Sequence, residues 1–208
     1  MRAEAFVERL GRLKASAILR TPIEDAAAPA MDAAIRGGFR IVEFTLNTPG
    51  ALERIAEFSR RDDVVVGAGT VLTVDDARAA VRAGATFLVS PVVDPEVIEE
   101  AATLGVCAIP GCQTPTEMLM AHRAGAPLQK LFPAPASGPD WVRATLAPLP
   151  FLRIVPTNGV TADNAQAFLD AGCFAVGFVG SLFDPVDLAE RRFERIADRA
   201  RALLAHVG

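Results

Sequence analysis

The 208-residue sequence predicts an α/β protein, a (β/α)8 TIM barrel with an extra helix at its N-terminus. Three observations predict it. Eight short apolar runs recur along the chain, their starts lie 20 to 24 residues apart, and helical patterns fill the intervals. Parallel strands need a crossover of that length, and even β/α spacing with no long linker favours closure over an open sheet. Residues 1–208 read as one domain without low-complexity segments.

Residues 1–15 read as the lead-in helix. The strand runs cover 16–19, 40–46, 64–68, 86–89, 106–109, 128–132, 152–155 and 174–178. Helices between them, such as 74–83 and 94–104, are rich in Ala, Leu, Arg, Asp and Glu. Their ends are marked by Gly37-Gly38, Gly84, Gly105, Gly125 and Gly172, residues that take the left-handed turn without a Cβ clash. Their starts are marked by Thr73, Asp94, Thr114 and Thr161, each a capping oxygen ahead of acidic residues in the first turn.

Composition narrows the function. About half of the residues are hydrophobic, enough for a sizeable core. A net charge of −4 with no basic cluster beyond Arg60-Arg61 and Arg191-Arg192 argues against a nucleic-acid partner. Charges interrupt every apolar run before a membrane span could form, and Glu4, Glu8 and Arg9 break any signal-peptide core, so the expected location is cytoplasmic. Cys107, Cys112 and Cys173 lack C-x-x-C spacing, and His122 and His206 lack companions at ligand spacing; no metal and no cofactor is expected.

Catalytic groups of a barrel sit where its strands end. Those positions hold Arg20; Glu43, Thr45 and Asn47; Gly67-Ala-Gly-Thr70; Ser90-Pro91; Pro110-Gly-Cys112; Lys130; Pro156-Thr-Asn-Gly159; and Gly180-Ser181. Only two of the 21 basic side chains are lysines, Lys14 and Lys130, and Lys130 lies inside an apolar strand. Burial lowers an ammonium pKa and frees the amine as a nucleophile, which arginine cannot become. Period-two alternation turns Glu43, Thr45 and Asn47 to the barrel axis and Val42, Phe44 and Leu46 to the helices. A carboxylate there is either paired or raised in pKa, and both states suit proton transfer beside an amine. Asn158-Gly159 and Gly180-Ser181 lie where such barrels commonly bind phosphate, with N–H groups and a hydroxyl to offer an anion, helped by the following helix N-termini.

Three readings are open on these residues alone. One is Schiff-base chemistry on a 2-keto acid, with Lys130 as nucleophile and Glu43 moving protons. Another is a phosphosugar isomerase or epimerase with Glu43 as base, which forms no covalent adduct. The third is a non-catalytic phosphosugar-binding barrel, whose affinity survives loss of Lys130.

The strings Val42-Glu-Phe-Thr-Leu-Asn-Thr48, Val66-Gly-Ala-Gly-Thr-Val-Leu72, Leu88-Val-Ser-Pro91, Ile109-Pro-Gly-Cys112 and Gln129-Lys-Leu-Phe-Pro-Ala134 resemble the KDPG/KHG aldolase family, in order over nearly the whole chain. The resemblance implies a homotrimeric class I aldolase that cleaves a 2-keto-3-deoxy-6-phospho-sugar acid to pyruvate and glyceraldehyde 3-phosphate. Its small-molecule partners are therefore a keto acid and a phosphorylated aldehyde. It makes Lys130 the Schiff-base residue and Glu43 the general acid/base. Thr70 is implied at the pyruvate carboxylate, Pro91 beside the substrate, and Gly159, Gly180 and Ser181 at the phosphate. Two positions depart from the family's pattern: Asn47 stands where the gluconate-type enzymes carry an arginine, and Asn158-Gly159 stands where many members have a Gly-Gly pair. Leu46-Asn47 together with Arg20 is similar to the 2-dehydro-3-deoxy-6-phosphogalactonate aldolase branch, which leaves the sugar stereochemistry open.

Overall fold

The computed structural model describes residues 1–207. In chain order the elements are α1 (Ala3–Leu13), β1 (Ala15–Leu19), α2 (Glu24–Arg36), β2 (Ile41–Thr45), α3 (Ala51–Phe58), β3 (Val65–Gly69), α4 (Val74–Arg82), β4 (Phe87–Val89), α5 (Pro95–Thr103) and β5 (Cys107–Ile109). They continue as β6 (Gly111–Cys112), α6 (Pro115–Arg123), β7 (Gln129–Leu131), α7 (Pro139–Leu146), β8 (Ile154–Pro156), α8 (Ala165–Asp170), β9 (Val176–Phe178), α9 (Pro185–Ala189) and α10 (Phe193–Leu204).

Helix boundaries follow local chemistry. Thr73 and Thr114 each close a capping box, with Asp76 and Glu117, and Asp94 caps two N–H groups. Such caps contribute about 1 kcal/mol each. Thr161 departs from the expectation: α8 begins only at Ala165, and the Asn164 side chain accepts from Thr161 N instead. Gly84 and Gly172 hold φ of 107° and 101° just past their helices, a region a side chain would strain.

All ladders are parallel. They form a curled six-stranded sheet in the order β5-β4-β3-β2-β1-β9 and a three-stranded sheet in the order β6-β7-β8. One bridge, Thr157 to Gly177, joins the second sheet to β9, and the chain itself joins the two through Pro110. The fifth apolar run, 106–109, holds β5, and a further short strand, β6, follows it beyond Pro110, which has no N–H to give a ladder. Hydrogen bonding divides into these two ladders and does not run as one continuous eight-stranded ladder.

Strand alternation sorts the apolar residues into two cores. Val42, Phe44, Val66, Leu88, Leu131 and Ile154 pack against the helices. Ile41, Val65, Phe87, Val89, Ile109 and Val155 meet inside the curl of the sheet. The amphipathic face of α1 belongs to the inner core: Phe6, Val7 and Leu10 cover one end of it, and Phe6 stacks on Phe87 at 4.4 Å. The polar side chains discussed next share that interior. Among the described residues no helix is long and apolar enough to cross a membrane.

Candidate active site

Two ionisable groups stand on the inner face. Glu43 is 2% exposed and Lys130 is 5% exposed, one from the middle of β2 and the other from the middle of β7. They line one interior cavity of about 20 Å³ with Ser16, Ile18, Val155 and Thr157. Among the described residues they do not form an ion pair, and Lys130 Nζ lies 4.6 Å from the centroid of the Phe132 ring. Glu43 Oε1 and Thr157 Oγ1 meet no protein partner.

That environment sets the protonation states. Burial pushes the Glu43 carboxyl above its ordinary range, against the opposing pull of Lys130 and Arg20. Burial pulls the Lys130 ammonium down; Glu43 resists this and Arg20 adds to it. Both shifts favour the neutral forms, an amine with a free lone pair beside a carboxyl group able to hold a proton.

The mouth of the site is built by turns. Arg20, exposed at the end of β1, donates from Nη2 to Thr70 Oγ1 at 3.3 Å. Thr70 holds φ of 58°, an uncommon conformation for a β-branched residue, directly after β3. The expected inward run of Glu43, Thr45 and Asn47 stops short, because β2 ends at Thr45. Thr45 donates to Leu19 O, while Asn47 is exposed in a turn and lines a surface groove with Pro49, Leu52 and Asp76. Alternation fails there because the strand has ended. Pro91 is half-buried after β4, and its carbonyl approaches Gly111 so closely that a Cβ at 111 would overlap it. Burial pushes the Cys112 thiol up to about 12, so it is no nucleophile near neutral pH.

The turns after β8 and β9 are knitted together. Asn158 holds φ of 55°, the left-handed region that asparagine tolerates, so it gives the backbone what a glycine there would give. Asn164 Nδ2 donates to Gly159 O at 2.8 Å, clasping this turn. Ser181 Oγ donates to Val160 O at 2.7 Å, which ties the second turn to the first. The hydroxyl proton expected to face an anion is thus committed to a carbonyl. Among the described residues the N–H groups of Gly159, Gly180 and Ser181 donate to no protein acceptor. No helix N-terminus abuts Gly159, since α8 starts six residues on.

Thr157 falls within the strand-end string Pro156-Thr-Asn-Gly159, whereas Ser16 and Asn164 lie outside the strand-end pattern. Thr157 and Ser16 follow from period two once Val155 and Ile18 are known to face inward. Asn164 carries no comparable signal, since asparagine near a helix start reads as an ordinary cap.

Comparison with known proteins gives a consistent result. The family profile for KDPG and KHG aldolase matches residues 7–198. The 2-dehydro-3-deoxy-6-phosphogalactonate aldolase of Escherichia coli (strain K12) is 36% identical over 196 residues, covering 93% of this chain and 94% of that protein. The 2-dehydro-3-deoxy-phosphogluconate aldolase of Treponema pallidum (strain Nichols) is 37% identical over 164 residues, 78% of each chain. A solved structure described as native KDPGal superposes with a TM-score of 0.85 at 35% identity, covering 93% of both chains.

Proposed function

The chain belongs to the KDPG and KHG aldolase family, and we propose on that premise that it is a class I aldolase acting through a Schiff base on Lys130. The substrate is a 2-keto-3-deoxy-6-phospho-sugar acid of the gluconate or galactonate type, and the products are pyruvate and glyceraldehyde 3-phosphate. The observation that carries this reading is one buried cavity shared by Lys130, its pKa lowered, and Glu43, its pKa raised.

Lys130 Nζ attacks the C2 carbonyl of the keto acid, and loss of water leaves an iminium. The iminium withdraws electrons from C3. When the C4 hydroxyl gives up its proton, the C3–C4 bond breaks, the aldehyde leaves, and an enamine remains. Proton addition at C3 and hydrolysis then release pyruvate and restore the amine. Glu43 holds and returns the protons, through a water that the cavity is large enough to admit. Arg20 and Thr70 take the substrate carboxylate, since the guanidinium acts on both buried groups and already bonds Thr70. The free N–H groups of Gly159, Gly180 and Ser181 take the phosphate.

Two finer structural points belong to the same proposal. Residues 1–208 are read as one barrel domain, with β5 and β6 as halves of one strand and the Thr157–Gly177 bridge closing the ring. The assembly is read as a homotrimer located in the cytoplasm.

The test is pyruvate release from the gluconate-type and galactonate-type phospho-sugar acids in parallel. Release from at least one of them is expected, and Lys130→Arg, which keeps the charge, abolishes it. Substantial turnover by that variant removes the Schiff-base reading.

A further inference from the structure

We propose that Arg199 is a positioning residue for the phosphate end of the site, acting through the carbonyl of Leu182. The proposal rests on the aldolase reading only for the identity of the ligand. Arg199 lies on α10, remote in sequence from every group assigned above. Its Nη1 donates to Leu182 O at 2.7 Å, and its Nη2 donates to the carboxylate of Asp187.

Each part of this contact is built. Leu182 is fully buried and directly follows the Gly180-Ser181 pair; Leu182 N and Phe183 N both donate to Val179 O, which makes the turn tight. Asp187 is 3% exposed, receives two further cations, Arg195 at 3.5 Å and Arg192 at 3.9 Å, and accepts Arg192 N on its own backbone carbonyl. The helix that carries Arg199 is itself seated closely: a Cβ on Gly37, at the end of α2, would overlap Ala200. Arg199 therefore links a rigid helix to the backbone of a turn whose N–H groups are free. Ser181, bonded to Val160 O, passes that placement to the neighbouring turn at Gly159. Loss of the guanidinium leaves the Leu182 carbonyl without its partner and Asp187 short of its best-placed cation. The two free N–H groups at 180 and 181 then lose their fixed direction, while the Lys130–Glu43 cavity has no contact with Arg199.

The experiment compares wild type, Arg199→Met, Arg199→Lys and Asp187→Asn in three measurements. These are trapping of pyruvate by borohydride, the KM for glyceraldehyde 3-phosphate against that for glyceraldehyde in aldol synthesis, and calorimetric affinity for inorganic phosphate. Arg199→Met is expected to raise the KM for the phosphorylated aldehyde and weaken phosphate binding by about tenfold. Its pyruvate trapping and its KM for glyceraldehyde stay at wild-type values. Arg199→Lys recovers part of the loss, and Asp187→Asn, which unpins the guanidinium, gives a smaller loss of the same kind. Should Arg199→Met fail to fold, the other two variants decide. Parallel changes in both aldehydes, or unchanged phosphate affinity in all variants, overturn the proposal. Wild type that fails to trap pyruvate while phosphate affinity changes as expected removes the aldolase reading and leaves the positioning role standing.

Discussion

Glu43 Oε1 lies where a Cβ on residue 69 would have to stand, so the carboxylate and Gly69 share one space across the β2–β3 ladder. The three nearest atoms to that imagined Cβ all belong to the Glu43 side chain. A methyl group at 69 would therefore displace the carboxylate and spare the backbone. Gly69→Ala is expected to fold, to keep its denaturation midpoint near wild type, and to lose about 10²-fold in kcat. Wild-type turnover in a folded variant would show that the position of Glu43 does not matter to the chemistry.

Lys130 is pulled below the ordinary lysine value near 10.5, and in the proposed Schiff-base step the nucleophile is its neutral form. The rate of adduct formation with pyruvate is thus expected to rise with pH through the lowered value and to level off before 10.5. Arg20 contributes to that lowering, so Arg20→Gln raises the lysine pKa and moves the whole profile to higher pH. It also raises the KM for pyruvate, because a charged hydrogen-bond donor to the carboxylate is lost. A profile that climbs to the ordinary lysine range in the wild type, or one that Arg20→Gln leaves in place, contradicts this account.

How much of this was legible in the sequence depended on which force sets each feature. The β/α repeat was readable because burial imposes period two on strands and capping chemistry marks helices, as at Thr73, Asp94 and Thr114. Glu43 and Lys130 stood out for the same reason, since charge inside an apolar strand breaks the pattern. Asn47 was misplaced because alternation says nothing past the last ladder bond, and β2 ends two residues earlier. The division of the sheet at Pro110 was present in the sequence as a proline, but a split strand and a strand end look alike there. Ser181 spends its hydroxyl on the Val160 carbonyl, a contact that exists only after the chain has brought the two turns together, and Asn164 spends its amide on Gly159 O within its own turn.

Glu43 also bears on stability. Its pKa in the folded protein is raised above the ordinary 4.5, so its favourable contribution is full below that value and is lost as pH rises through the raised one. Near neutral pH the wild type therefore carries a desolvation cost that Glu43→Gln lacks. Denaturant midpoints are expected to shift in favour of Glu43→Gln on going from about pH 4 to about pH 8. The same variant loses activity. A stability difference independent of pH across that range would mean the carboxyl is not held in its neutral form.

The proposed chemistry of this site depends on a covalent imine between Lys130 and a 2-keto acid. Incubation with pyruvate and borohydride, followed by mass spectrometry of peptides, tests it most directly. One reduced pyruvyl adduct is expected, located on Lys130 and absent from Lys14 and from the Lys130→Arg variant. Pyruvate release from the phospho-sugar acid without any adduct on Lys130 would contradict it.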